Sequence, residues 1–138
     1  SSHSCYFRSM FDEILKSKPG YELDNLVAYQ VMGWTLRHDG IYVSDPGEDS
    51  IFGTMWGQSN DAPVWEPSEN MFPVWIMEEH LLSLKLHLRY TQALCAVFLH
   101  DGPLPEYDEQ ANWQFTHATP HQRCRAALLT VTNFVQVV

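Results

Sequence analysis

From Leu84 to Tyr90 the chain alternates apolar and polar side chains at every position. That is the period of a half-buried strand. On this reading Leu84, Leu86 and Leu88 face one side of a sheet, and Lys85, His87 and Arg89 the other. Ala93 to Leu99 follows almost at once, apolar throughout, and ends on His100-Asp101-Gly102, a turn signal. The pattern predicts two adjacent antiparallel strands near the middle of the fold. Such strands are stable only if amphipathic elements cover them, so the rest of the chain should supply helices.

It does. Phe7, Met10, Phe11, Ile14 and Leu15 recur at i, i+3, i+4, i+7 and i+8, the stripe of an amphipathic helix that Pro19-Gly20 stops. A second helix is expected from about Glu22 to Met32, with Gly33 at its C-terminal cap. A third begins near Asn70, where Pro73 falls in the tolerant first turn, and offers Val74, Trp75, Met77, Leu81 and Leu82 to a core. The last has the clearest start. Thr119 caps it, Pro120 takes the first helical position, and Gln122 can close a capping box. Cys124, Ala127, Leu128, Val131 and Val135 form its buried stripe, with Arg123 and Arg125 off it.

Between these helices the pattern shortens. His38-Asp39-Gly40 reads as a hairpin turn between Trp34–Arg37 and Ile41–Ser44. A second turn falls at Asp45–Asp49 and a short strand at Ile51–Trp56. Gly57–Pro63 and Gly102–Gln114 read as loops, the latter with several acids anchored by Leu104, Tyr107 and Trp113. The expected architecture is α+β: a single domain with helices packed against an antiparallel sheet.

Charge and cysteine usage narrow the function classes. Seventeen acidic residues stand against eight Lys and Arg, a net charge of -9. Nucleic-acid binding draws its affinity from many cationic contacts, so a nucleic-acid partner is disfavoured. The apolar runs fall short of the roughly 18 residues that a membrane span requires, and no secretory leader is visible at Ser1–Ser9. Cys95, in the apolar strand, and Cys124, on the last helix, read as small buried hydrophobes of a reducing compartment. A soluble cytoplasmic protein without membrane partners is the expectation.

Signals for chemistry are sparse. The chain has no Gly-rich phosphate loop, no Gly-x-Ser-x-Gly and no His-Glu-x-x-His. His117, His121 and Cys124 include metal-ligating side chains, but their spacing straddles a helix cap and Cys124 faces the core, so no metal is assigned. A Cys95 nucleophile is disfavoured by its apolar surroundings. No catalytic residue and no cofactor are assigned. The feature that stands out is Lys85, His87 and Arg89 on one face. They suit either a charged strand edge that resists aggregation or a surface for an anion or acidic partner. Trp56 and Trp65 bracket the polar loop and read first as anchors, secondly as walls of a pocket beside that basic face.

Several short motifs occur in a familiar order. Glu22-Leu23-Asp24-Asn25-Leu26-Val27-Ala28 with Val31-Met32-Gly33-Trp34, then Trp65-Glu66-Pro67-Ser68 with Trp75, then Ala118-Thr119-Pro120 with Cys124-Arg125-Ala126-Ala127-Leu128-Leu129, resemble the phage ABA-sandwich domain family from about Tyr21 to Val131. The resemblance implies a small phage or prophage protein with helices on both faces of a sheet, in the manner of an α/β/α sandwich, and no enzyme activity. It divides the chain into an additional N-terminal helix at 1–20 and the family-like domain at 21–138. The expected function is a non-enzymatic binding module whose partner is a protein or a small anionic ligand. The candidate surface comprises Lys85, His87, Arg89, Trp56 and Trp65. One alternative is an anti-defence protein that blocks a host immune protein or sequesters a nucleotide messenger, and another is a small hydrolase of a phosphorylated substrate.

Overall fold

The computed structural model describes residues 10–44, 56–58, 63–103 and 105–132. The turn expected at Asp45–Asp49, most of the strand expected at Ile51–Trp56, Cys5, and the two ends of the chain lie outside them. The described residues form a mixed α+β domain dominated by helices. A first helix, α1, covers residues 10–15, and Ile14 and Leu15 from it enter the core. After Pro19-Gly20 comes α2 (Tyr21–Leu26), continued by a wider π turn at Val27–Val31. Val27, Ala28 and Val31 are buried, continuing the stripe of Leu23, while Tyr29 and Gln30 face out.

The expected hairpin is present. Strands β1 (Thr35–Leu36) and β2 (Tyr42–Val43) pair antiparallel, Thr35 against Val43 and Leu36 against Tyr42. Gly40 has φ of 83° in the turn, a conformation that costs a residue without Cβ little. Trp56–Gln58 runs beside this hairpin: Tyr42 N donates to Trp56 O at 2.9 Å and Gln58 N to Gly40 O at 2.9 Å.

The strands expected at Leu84–Leu99 are a helix instead. Helix α3 (Met71–Ser83) ends in a tight corner, and α4 runs from His87 to Asp101. Its buried residues Tyr90, Ala93, Leu94, Val97 and Phe98 recur with the helical period. An uninterrupted apolar run fits a buried helix as well as a strand, because the run alone carries no period. Gly102, read as a turn, is the residue that ends this helix. Cys95 and Leu99 consequently sit on its outer face and are exposed, and Leu84 and Leu88 are exposed too. Part of the long loop expected at Gly102–Gln114 is also helical, as α5 (Asp108–Thr116), and it buries no residue. Its Trp113, read as an anchor, is exposed, as is Trp75 on α3, read as core.

The last helix, α6 (Pro120–Val131), is the element around which the others pack. Its capping box is complete: Gln122 N donates to Thr119 Oγ1 at 3.1 Å and Thr119 N to Gln122 Oε1 at 3.0 Å. Every residue from Cys124 to Thr130 is buried, the signature of a helix enclosed on all sides rather than one with a single apolar stripe. Helices α2, α3 and α4 and the π turn all contact it. Arg125, read as lying off the stripe, is buried with the rest. Its guanidinium meets both oxygens of Asp101 at 3.0 and 2.7 Å and donates to Leu15 O at 2.9 Å. One buried cation thus ties the end of α4 and the end of α1 to the central helix.

Candidate functional site

The three basic residues keep company at the α3–α4 corner, though not as a strand face. Leu86 N donates to Leu81 O at 2.9 Å and Lys85 N to Leu82 O at 2.9 Å. That pair of bonds is the Schellman ending of a helix, with Lys85 in the position usually held by glycine. Lys85 has φ of 60° and is the non-glycine residue with positive φ among the described residues. Left-handed backbone crowds its Cβ against the carbonyl, so a lysine here carries a local conformational cost. Lys85 and His87 are exposed; Arg89, in the first turn of α4, is half-buried. Leu82, Leu84 and Leu88 are exposed at 51%, 51% and 59% around the same corner. Phe72 and Trp75 are exposed toward the other end of α3, separated from Leu82 by the exposed Glu79.

Trp56 and Trp65 do not join this corner. Both are buried, with ring centroids 5.3 Å apart, and Trp56 also contacts Phe72 at the start of α3. The length of α3, roughly 18 Å at its rise per residue, separates them from Lys85. They anchor an aromatic cluster with Trp34, whose ring lies 4.6 Å from that of Trp65, and Tyr42, 5.9 Å from Trp34. The sequence-derived surface is therefore two places: a basic, apolar corner and a tryptophan cluster.

The cluster backs a small cavity of about 150 Å³ lined by Gly20, Tyr21, Asp24, Tyr42, Gln58, Val64, Trp65, Glu66 and Glu69. Asp24, 4% exposed, lies at its base and accepts from Ser68 N at 2.7 Å. Burial raises its carboxyl from 3.8 to about 6, against the lowering effect of the Ser68 hydrogen bonds, with Glu69 and Glu66 adding to the rise. Trp65 Nε1 donates to Asp24 O at 3.1 Å, Tyr42 OH to Asn25 Oδ1 at 3.0 Å, and Gln58 Nε2 to Tyr21 OH at 2.8 Å. Sequence reasoning passed over Tyr21, Asp24, Tyr42 and Gln58. A signal was present for Asp24: it precedes Val27 by three and Ala28 by four, which places a carboxylate within the apolar stripe of α2.

The metal candidates are used separately. His117 stacks on Trp113 at 3.7 Å, its Nδ1 lying 3.0 Å from Trp113 O. His121 Nε2 pairs with Ser17 O, and Cys124 is buried, which pushes its thiol well up. Among the described residues, no three His, Cys, Asp or Glu side chains form a group suited to a metal ion. Glu78 is likewise engaged, accepting from Tyr90 OH at 2.5 Å and from Arg123 Nη1 at 2.8 Å. Among the described residues, no helix is long and apolar enough to cross a membrane.

A family model, the phage ABA sandwich domain, matches residues 25–128. The match spans the hairpin, the tryptophan cluster, the basic corner and most of α6; α1, Tyr21 and Asp24 precede it. No curated protein and no solved structure matches the chain.

Proposed function

We propose that this chain, which belongs to the phage ABA sandwich domain family, is a phage-associated binding module that meets a protein partner through its α3–α4 corner. The observation that carries the reading is Lys85, held in left-handed backbone where glycine would be cheaper, beside exposed Leu82, Leu84 and Leu88. The corner thus presents a cation on strained backbone beside exposed apolar side chains, which a partner could cover. The complementary occupant is an acidic, amphipathic helical segment of another protein. Its apolar side would cover the leucines and its carboxylates would meet Lys85 and His87. In a chain of net charge -9 the contrast between this corner and the surrounding surface would orient such a segment. Binding rather than catalysis also fits the separate structural contacts of His117, His121 and Cys124.

The test uses helical peptides with one leucine-rich face and a Glu-rich, Gln-rich or Lys-rich rim. The Glu peptide should bind, more weakly as salt rises. Lys85→Gly should weaken that binding severalfold while stabilising the protein by on the order of 1 kcal/mol, since glycine relieves the strained backbone. Leu88→Ala should weaken binding with little effect on stability, because the side chain is exposed. Equal binding of all three peptides, or of none, would remove the proposal.

A further inference from the structure

The cavity above Asp24 differs in its chemistry from the basic corner. The side-chain donors of Trp65, Tyr42, Gln58 and Asn70 are spent inside the protein. Trp65 Nε1 serves Asp24 O, Tyr42 OH serves Asn25, Gln58 Nε2 serves Tyr21 OH, and Asn70 Nδ2 serves Glu66 Oε2 at 2.9 Å. Besides the Tyr21 O–H, what the lining still offers is acceptor oxygen and aromatic surface: the carboxyls of Asp24, Glu66 and Glu69, and the rings of Tyr21, Tyr42 and Trp65. A group that fits there must bring its own donors and a positive charge. The volume, about 150 Å³, is that of a benzene-sized guest, which suits the head of a side chain rather than a nucleotide. Aromatic rings set beside carboxylates are the surroundings in which an organic cation loses least on leaving water.

We propose that the Tyr21–Asp24–Tyr42–Gln58–Trp65 cavity binds a primary ammonium or guanidinium group, presented either by a small amine or by a Lys or Arg side chain of a partner. Tyr21 is the outer wall, since the residue is 61% exposed yet its hydroxyl is held by Gln58. Trp65 and Tyr42 are the fixed inner walls. The rim acid is Glu69, which is exposed, whereas Glu66 is steadied by Asn70. This site lies away from the α3–α4 corner, so it stands or falls independently of the peptide-binding reading.

The experiment follows the Trp65 indole N–H and the Gln58 side-chain amide by nitrogen–proton NMR. Methylguanidinium chloride, ethylammonium chloride and sodium chloride are added in matched series. Saturable shifts of these two groups with the organic cations, absent with sodium, are expected. Tyr21→Ala and Glu69→Gln alter exposed residues and should leave the fold intact while weakening the response severalfold. Asp24→Asn should abolish it. A response equal for all three salts, or undiminished in both rim variants, would overturn the proposal. A peptide carrying one lysine in a neutral sequence then separates the sources. Tighter binding than ethylammonium assigns the site to a partner protein's side chain, and weaker binding assigns it to a free amine.

Discussion

Asp24 is where a single residue says most about the molecule. Its carboxyl ionises near 3.8 in an unfolded chain but only at about 6 in the fold, because burial disfavours the charge. Between those values the native state holds a proton that the unfolded state has released. Stability from this group therefore grows as the pH falls through that window and is lost as the pH rises through about 6. The groups nearest it reinforce the sign. Glu66 and Glu69 repel its charge, Tyr42 and Cys124 are themselves pushed up by burial, and only the Ser68 hydrogen bonds favour the anion. Asp101 acts in the opposite sense, since hydrogen bonds from Arg125 hold its carboxyl below the usual range, but that contribution is lost only at lower pH. Asn at position 24 can still accept from Ser68 and cannot titrate. Measured by urea denaturation, the wild-type chain should gain up to about 3 kcal/mol over Asp24→Asn between about pH 7 and pH 4. Parallel curves for the two proteins would show that Asp24 ionises normally.

At the level of elements, α6 was legible and α4 was not, for identifiable reasons. The start of α6 is written in local chemistry, Thr119, Pro120 and Gln122, and the fold uses each as expected. Leu128, read as core, is 1% exposed, and Leu128→Ala should cost about 2–5 kcal/mol in equilibrium unfolding. A cost below about 0.5 kcal/mol would place that side chain at the surface. Leu84 to Leu88 misled because its alternation spans a helix ending, a left-handed residue and a helix start, none of which is a strand. The hydrophobic residues that matter in α4 begin only at Tyr90. The hairpin around Gly40 was legible because its turn chemistry is local, and so was the α+β class. The cavity was not, since it brings α2, β2, Gln58 and Trp65 together, and contacts that distant in sequence leave no periodic trace. Arg125 escaped for the same reason: its partners Asp101 and Leu15 are remote, so nothing local marks it as a buried residue.

Across the whole molecule, stability should be graded outward from α6. That helix is enclosed by α2, α3, α4 and the π turn, and its backbone is shielded along the run Cys124–Thr130. Helix α5 is the opposite case. It buries no residue, its Trp113 is 65% exposed, and its first turn faces solvent with Asp108 and Glu109. Its end is held to the core: Phe115 packs on Phe98 with ring centroids 5.5 Å apart, and Arg123 donates to Phe115 O and Thr116 O at 3.3 Å each. Opening of α5 from its first turn loses little buried apolar surface, whereas opening α6 dismantles the core, so the two should exchange amide hydrogens through different events. In native-state hydrogen exchange, amides of Leu128 to Thr130 should exchange only through global unfolding. Amides of Ala111 and Asn112 should exchange through a local opening that is several kcal/mol cheaper and insensitive to low denaturant. The difference should persist in Leu128→Ala, with the α6 amides shifting by the full loss of stability and the α5 amides hardly at all. Equal protection in the two helices would mean that α5 opens only with the core, and that its exposed first turn is held as firmly as the enclosed helix.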